Sequence, residues 1–269
     1  MQIGNKEFPL GKRSFVMGIL NVTPDSFSDG GRYDNIEKAM AQAEHMIAAG
    51  ADLLDVGGES TRPGHTPITE EEEILRAVPV IEELKKRYDI PVSVDTYKSK
   101  VAKAALEAGA DMLNDIWGFR FDERCALLAA QYDAAVCLMH NRDNTVYADL
   151  MQEIIDDLKI SLSIAEKYGI KKEKIILDPG VGFGKTREQN LAVMNQLEKI
   201  VAMGYPVLLG ASRKSVIGLT LDLPVDEREE GTMATSVIGV MKGCEFIRVH
   251  DVEKNVRAMR MADAVRRGR

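Results

Sequence analysis

The chain alternates between short apolar runs and longer amphipathic stretches. The apolar runs fall at 15–20, 53–56, 91–95, 112–115, 134–139, 174–177, 206–209 and 245–249. Most are almost continuously apolar, the pattern of strands buried on both faces. The stretches between and after them, at 36–49, 69–88, 99–108, 122–131, 147–168, 187–203, 229–242 and 252–266, have helical spacing. Glycine closes most of these, as Gly50 and Gly109 do, where a C′ residue with positive φ is wanted. Thr69 stands as an N-cap with Glu72 in capping-box position, and Pro79 is expected to kink or divide that helix. Ala49-Gly50-Ala51-Asp52-Leu53-Leu54-Asp55 is echoed by Ala108-Gly109-Ala110-Asp111-Met112-Leu113-Asn114, a repeated βα unit. Residues 1–13, with Gly4-Asn5-Lys6 as a turn, read as a small hairpin ahead of the rhythm.

Eight βα units in 269 residues predict an α/β fold, a (β/α)8 TIM barrel with a short N-terminal hairpin, as one domain over 1–269. The rival is an open doubly wound sheet. Its signature is a G-x-G-x-x-G loop after the first strand, and Asn21-Val22-Thr23-Pro24 stands there instead.

Composition narrows the function classes. A net charge of -7 argues against nucleic acid as the main partner. No apolar run reaches membrane-spanning length, so no membrane partner is expected. Cys125, Cys137 and Cys244 are odd in number and far apart. They read as buried thiols of a reducing cytoplasm rather than a disulfide framework or zinc site.

The chemistry gathers where strands end, since those ends form the catalytic face of such a barrel. In order they bring Asn21; Asp55, Glu59, Ser60, Thr61 and Arg62; Asp95 and Thr96; Asn114 and Asp115; Met139 and His140; Asp178 and Phe183; Ser212, Arg213 and Lys214; and Arg248, His250 and Asp251. A structural role as helix cap or ion-pair partner is reasonable for Asp55, Asp115 and Asp251. It is weaker for Asp95, Asn114 and Asp178, which end their strands directly. Inward Asp and Asn side chains suit a flat, nitrogen-rich heterocycle, with Met139 and Phe183 as apolar walls. Thr61, Arg62, Arg248 and His250 suit a phosphate or diphosphate. Ser212-Arg213-Lys214-Ser215 lies where a short helix begins, and Lys214 is placed to bond the heterocycle or balance an acid. His140 reads as structural. The stretch 178–186 carries Gly184-Lys185-Thr186, but Pro179 stands where a Walker loop needs its first glycine, so it is rejected as an ATP site.

Two longer stretches are specific. Asn21-Val22-Thr23-Pro24-Asp25-Ser26-Phe27-Ser28-Asp29-Gly30-Gly31 resembles the first signature of the dihydropteroate synthases, and Asp55-Val56-Gly57-Gly58-Glu59-Ser60-Thr61-Arg62-Pro63-Gly64 resembles the second. Ser93-Val94-Asp95-Thr96, Asn114-Asp115, the run Asp178 to Lys185, Gly210 to Ser215 and Arg248-Val249-His250-Asp251 match the family in order. The resemblance implies a homodimeric enzyme of folate synthesis. It would condense 6-hydroxymethyl-7,8-dihydropterin diphosphate with 4-aminobenzoate, giving 7,8-dihydropteroate and diphosphate, with Mg2+ as cofactor. It implies pterin contacts at Asp95, Asn114, Met139, Asp178, Phe183, Lys214 and Arg248, and diphosphate contacts at Asn21, Thr61, Arg62, Arg248 and His250. Aminobenzoate contacts would be Phe27, Pro63, Lys214 and Ser215, where sulfonamides would compete. Asn21 would contact the metal, and Asp95, Lys214, Arg248 and His250 would carry catalysis. One departure is visible: Asn141-Arg142-Asp143-Asn144-Thr145 replaces a glycine-containing stretch found in many members.

Two rivals share the fold. A corrinoid-dependent methyltransferase would keep the pterin acids without a diphosphate group, and a non-catalytic pterin barrel would lose some strand-end polar residues. The first loop is expected to divide, with Asn21 rigid at the strand end and 23–31 acting as a lid.

Overall fold

The computed structural model describes residues 1–22, 32–59 and 67–268. The expected lid and the positions Phe27, Thr61, Arg62 and Pro63 lie outside the described residues.

β1 (Gln2–Ile3) and β2 (Lys6–Glu7) form the antiparallel hairpin. The barrel strands follow as β3 (Phe15–Asn21), β4 (Leu53–Gly57), β5 (Val92–Asp95), β6 (Met112–Asp115), β7 (Ala135–Met139), β8 (Ile175–Asp178), β9 (Leu208–Leu209) and β10 (Phe246–Val249). All pairings among them are parallel, in the order β8-β7-β6-β5-β4-β3-β10-β9. A parallel bridge between Leu177 and Val207 closes the ring.

The helices are α1 (Arg32–Ala48), α2 (Glu70–Arg87), α3 (Ser99–Glu107), α4 (Arg124–Gln131), α5 (Leu150–Lys167), α6 (Arg187–Asn195), α7 (Leu197–Val201), α8 (Ser215–Leu221), α9 (Glu229–Lys242) and α10 (Val252–Arg267). Several boundaries depart from the sequence reading for local reasons. α2 is not divided at Pro79 and runs through it. Thr69 caps α2 by accepting from the Glu72 N–H at 3.1 Å, while the Glu72 carboxylate pairs with Arg76. The stretch 187–203 is two helices, broken at Gln196, where Lys242 Nζ donates to Asn195 O at 2.7 Å. Its start carries a complete capping box, Thr186 with Gln189. α5 begins at Leu150 because Asp149 accepts from the Gln152 N–H.

Alternation along each strand sets up two cores. Val16, Leu20, Leu54, Val56, Val94, Leu113, Val136, Leu138, Leu177, Leu209 and Ile247 face the helices. Phe15, Met17, Leu53, Met112, Ala135, Cys137, Ile176, Leu208 and Phe246 fill the barrel interior with Ile3 and Phe8 from the hairpin region. Phe8 and Phe15 meet edge-to-face at 5.0 Å. The hairpin therefore plugs the N-terminal end and leaves the C-terminal end to the site.

Candidate active site

The same alternation places the polar residues. Asp55 follows Leu53 in phase, Asp95 follows Ser93, Asn114 follows Met112, Asp178 follows Ile176 and Arg248 follows Phe246. Each of these five strands thus turns a polar side chain into the barrel at its C-terminal end, above the apolar floor.

Arg248 organises this layer. Its Nε donates to Asp55 Oδ2 at 2.6 Å and its Nη2 to Asp95 Oδ2 at 2.9 Å. Asn114 Nδ2 donates to the same Asp55 oxygen at 2.9 Å. Asp95 Oδ1 and Asp55 Oδ1 are buried without a hydrogen-bond partner among the described residues. Such atoms are uncommon in folded proteins and point to a donor that arrives with a ligand. Burial pushes the Asp95 carboxyl up to about 7, against the pull of Arg248. Burial also raises Asp178, although Lys214 lies near and its Oδ1 accepts from the Gly180 N–H at 2.7 Å. Gly210 lies against this layer, where a Cβ would make ordinary contacts, 3.8 Å from Asp178 Oδ2 and 3.9 Å from the Arg248 side chain.

One wall is apolar. Ile116, Met139 and Phe183 form a buried cluster backed by Tyr97 and Trp117. Lys214 Nζ stands 4.6 Å over the Phe183 ring and donates to Val181 O at 2.5 Å. Burial pushes its ammonium down to about 8. Burying a cation over an aromatic face beside Asp178 and Asp95 keeps it in reach of an anionic or carbonyl oxygen.

The remaining candidates sit at the rim. Asn21 ends β3, with its Oδ1 only 3.2 Å from where a Cβ on Gly57 would stand. His250 Nδ1 and Ser212 Oγ are 2.9 Å apart, and the His250 N–H donates to the same hydroxyl at 3.2 Å. Ser215 is the exposed first residue of α8. Arg213 has φ 57° and turns toward Glu229, 3.7 Å away, outside the polar layer. Among the described residues, no group of three or more His, Cys, Asp or Glu could hold a metal ion.

The chain's relatives decide its family. Residues 17–250 match the model of the pterin binding enzymes. A dihydropteroate synthase of Clostridium beijerinckii is 60% identical over 98% of this chain and 99% of its own. The chain belongs to the dihydropteroate synthase family. Among solved structures, the Clostridium difficile dihydropteroate synthase with pteroic acid superposes with a TM-score of 0.94 at 53% identity, covering 96% of this chain and 99% of that one. The Xanthomonas albilineans enzyme with 4-aminobenzoic acid gives 0.90 at 42% identity, covering 94% and 93%. As a member of the dihydropteroate synthase family, the chain is a transferase of folate biosynthesis.

Within this dihydropteroate synthase fold, Asp55 is the ion-pair partner its sequence position allowed: it is fully buried in the inner layer, two residues beyond Leu53 on the same face of the strand, and shares Arg248 with Asp95. Ile116 is absent from the sequence reading, because an apolar residue just past a strand reads as core. Asp115 and Asp251 do serve structure. Asp115 accepts from the Trp117 and Phe119 N–H groups, and Asp251 caps α10 through the Lys254 N–H. The divergent stretch 141–145 is tied down: Arg142 pairs with Asp157 at 2.7 Å and Glu153 at 2.6 Å.

Proposed function

We propose that this barrel joins 4-aminobenzoate to 6-hydroxymethyl-7,8-dihydropterin diphosphate, releasing diphosphate and giving 7,8-dihydropteroate, as one pterin-binding domain over 1–269. The observation that carries the reading is the pair of buried oxygens with no partner among the described residues, Asp55 Oδ1 and Asp95 Oδ1, beside Asn114, Asp178 and Arg248. A flat heterocycle with ring N–H and amino groups supplies the missing donors. Asp95, Asn114, Asp178, Lys214 and Arg248 would hold its edges, with Met139 and Phe183 as walls. Asn21, Thr61, Arg62, Arg248 and His250 would take the diphosphate. Phe27, Pro63, Lys214 and Ser215 would take the aminobenzoate. The complexes of related enzymes with pteroic acid and 4-aminobenzoic acid support both halves of this assignment.

The step itself breaks the bond from the pterin methylene to the diphosphate oxygen, which leaves with the electron pair. The neutral aryl amine then forms the carbon–nitrogen bond with its lone pair and releases a proton to solvent. Positive charge develops on the pterin, and the Asp95 carboxylate, fixed by Arg248, stabilises it in a site closed to water on its floor side. Lys214, Arg248 and His250 attract the departing anion. No protein nucleophile is required.

Magnesium prefers a few protein oxygens, substrate phosphates and retained waters over an all-protein cage. Asn21 offers one such oxygen at the mouth, beside the space that Gly57 leaves open, so the donor set fits a metal that arrives with diphosphate. Bound there, the ion would neutralise leaving-group charge. Removing divalent ions with EDTA is expected to abolish turnover, and Asn21→Ala to raise the Mg2+ concentration needed to restore it.

Two further assignments belong to this reading. A homodimer through the outer helices is supported by Leu219, Ile238, Met241, Met261 and Val265, apolar side chains exposed on α8, α9 and α10. A cytoplasmic location is supported by Cys125, Cys137 and Cys244, all buried and unpaired. No helix of the described residues is long and apolar enough to cross a membrane.

The deciding assay combines the pterin diphosphate, Mg2+ and 4-aminobenzoate and measures diphosphate release with formation of dihydropteroate. Absence of both overturns the proposal. Release without the aryl amine would reduce it to a hydrolytic activity.

A further inference from the structure

The segment 180–185 has the composition of a phosphate loop and the opposite bonding. A phosphate loop turns free N–H groups toward an anion. Here the Gly180 N–H donates to Asp178 Oδ1 and the Gly182 N–H to Asn190 Oδ1, both at 2.7 Å, and the Phe183 N–H donates to Gly180 O at 3.1 Å. The carbonyls meet side-chain donors from within and beyond the turn. Lys214 Nζ reaches Val181 O at 2.5 Å and the Tyr147 hydroxyl reaches Gly184 O at 2.7 Å. Lys185 folds back and donates to Gly180 O at 2.9 Å and Phe183 O at 3.0 Å.

The third donor of Lys185 meets His140 Nδ1 at 2.9 Å. That contact needs a neutral imidazole with its proton on Nε2, which faces Asp157 Oδ2 at 3.1 Å. Burial supports this form, pushing His140 down to about 2, with the Lys185 charge adding to the effect. Asp157 is held in turn by Arg142. In its ammonium form Lys185 thus uses all three donors, although its burial away from solvent pulls the group down to about 7. The backbone is seated just as closely. A Cβ on Gly180 would stand 1.8 Å from His140 O, and one on Gly184 would stand 2.4 Å from Arg142 O.

We infer that Lys185 is a positioning residue for the pterin wall: it fixes the backbone at Gly180 and Phe183, and so sets the Phe183 ring against Met139 and beneath Lys214. The inference rests on the pterin-pocket reading of those three side chains. Lys185 touches no substrate. It acts through the loop whose Val181 carbonyl also anchors Lys214, so one displacement would disturb both wall and cation.

Lys185→Met keeps the side-chain length and removes the donors. The expected result is a KM for the pterin diphosphate raised about tenfold, the worth of one or two hydrogen bonds. The KM for 4-aminobenzoate and the inhibition constant of inorganic diphosphate, which depend on this loop only through Lys214, should rise less than the pterin KM. Direct titration with 6-hydroxymethyl-7,8-dihydropterin should weaken in parallel with the pterin KM. A lower kcat with unchanged pterin KM and affinity, or equal rises in both KM values, would overturn the inference. If the Met variant does not fold, Lys185→Gln retains a shorter donor and should weaken pterin binding by about threefold; wild-type binding in that variant would also overturn it. The titration needs no turnover. A wild-type protein that binds the pterin but forms no dihydropteroate would sink the synthase reading alone, and one that does not bind it would sink both.

Discussion

At the residue scale, the site is an arginine shared by two buried carboxylates, and its properties follow from burial. Burial pushes the Asp95 carboxyl up to about 7 and the Lys214 ammonium down to about 8. The charge-stabilising form needs Asp95 ionised and Lys214 protonated. The pH profile of kcat/KM is therefore expected to be a narrow bell, rising as Asp95 loses its proton and falling as Lys214 loses its own. Asp95→Asn should remove the rising limb and cost far more in kcat than in pterin affinity; equal losses would make the role one of binding only. The same shift has a sign for stability. The folded state holds the Asp95 proton more tightly than the unfolded chain, so this stabilising contribution is full below about pH 4 and is lost as pH rises through about 7. Asp95→Asn should accordingly raise the melting temperature at pH 8 more than at pH 4. Asp55 shares the arginine, and Asp55→Asn is expected to lower kcat/KM by at least about tenfold, the worth of one charge-assisted hydrogen bond.

At the element scale, caps and turns set where side chains arrive. α8 begins directly after Lys214, its N-cap residue, so the position of that lysine is set by the short helix and by Val181 O together. α2 tolerates Pro79 in its interior, where proline removes a ladder hydrogen bond. Pro79→Ala is expected to stabilise the fold by about 1–3 kcal/mol, read as a higher midpoint in urea with unchanged KM values. Helix starts such as Thr69 and the strand runs were legible because each depends on neighbours in sequence. The break at Gln196 was not, because Asn195 O is satisfied by Lys242 from a different helix.

At the scale of the whole molecule, the two ends of the barrel divide the work. Phe8, Phe15 and Phe246 pack the N-terminal end, with ring centroids 5.0 to 5.7 Å apart. Phe8→Ala should destabilise the protein by about 3–5 kcal/mol while leaving the KM values of the folded enzyme unchanged. A change in pterin KM would show that the floor reaches the site.

The repeat of apolar runs and glycine-ended helices determined the barrel by itself, because each βα unit is specified by local periodicity. The polar strand ends likewise announced a site on one face, and two long signatures named the family it resembles. Which of those residues meet was decided only in three dimensions. Asp55 and Arg248 are 193 positions apart in the chain, and their 2.6 Å contact exists because closure of the barrel puts β4 and β10 on either side of β3. Nor does any local pattern reveal that Lys185, in what reads as a failed phosphate loop, turns inward. That follows from the carbonyls and the neutral imidazole that the fold packs around it.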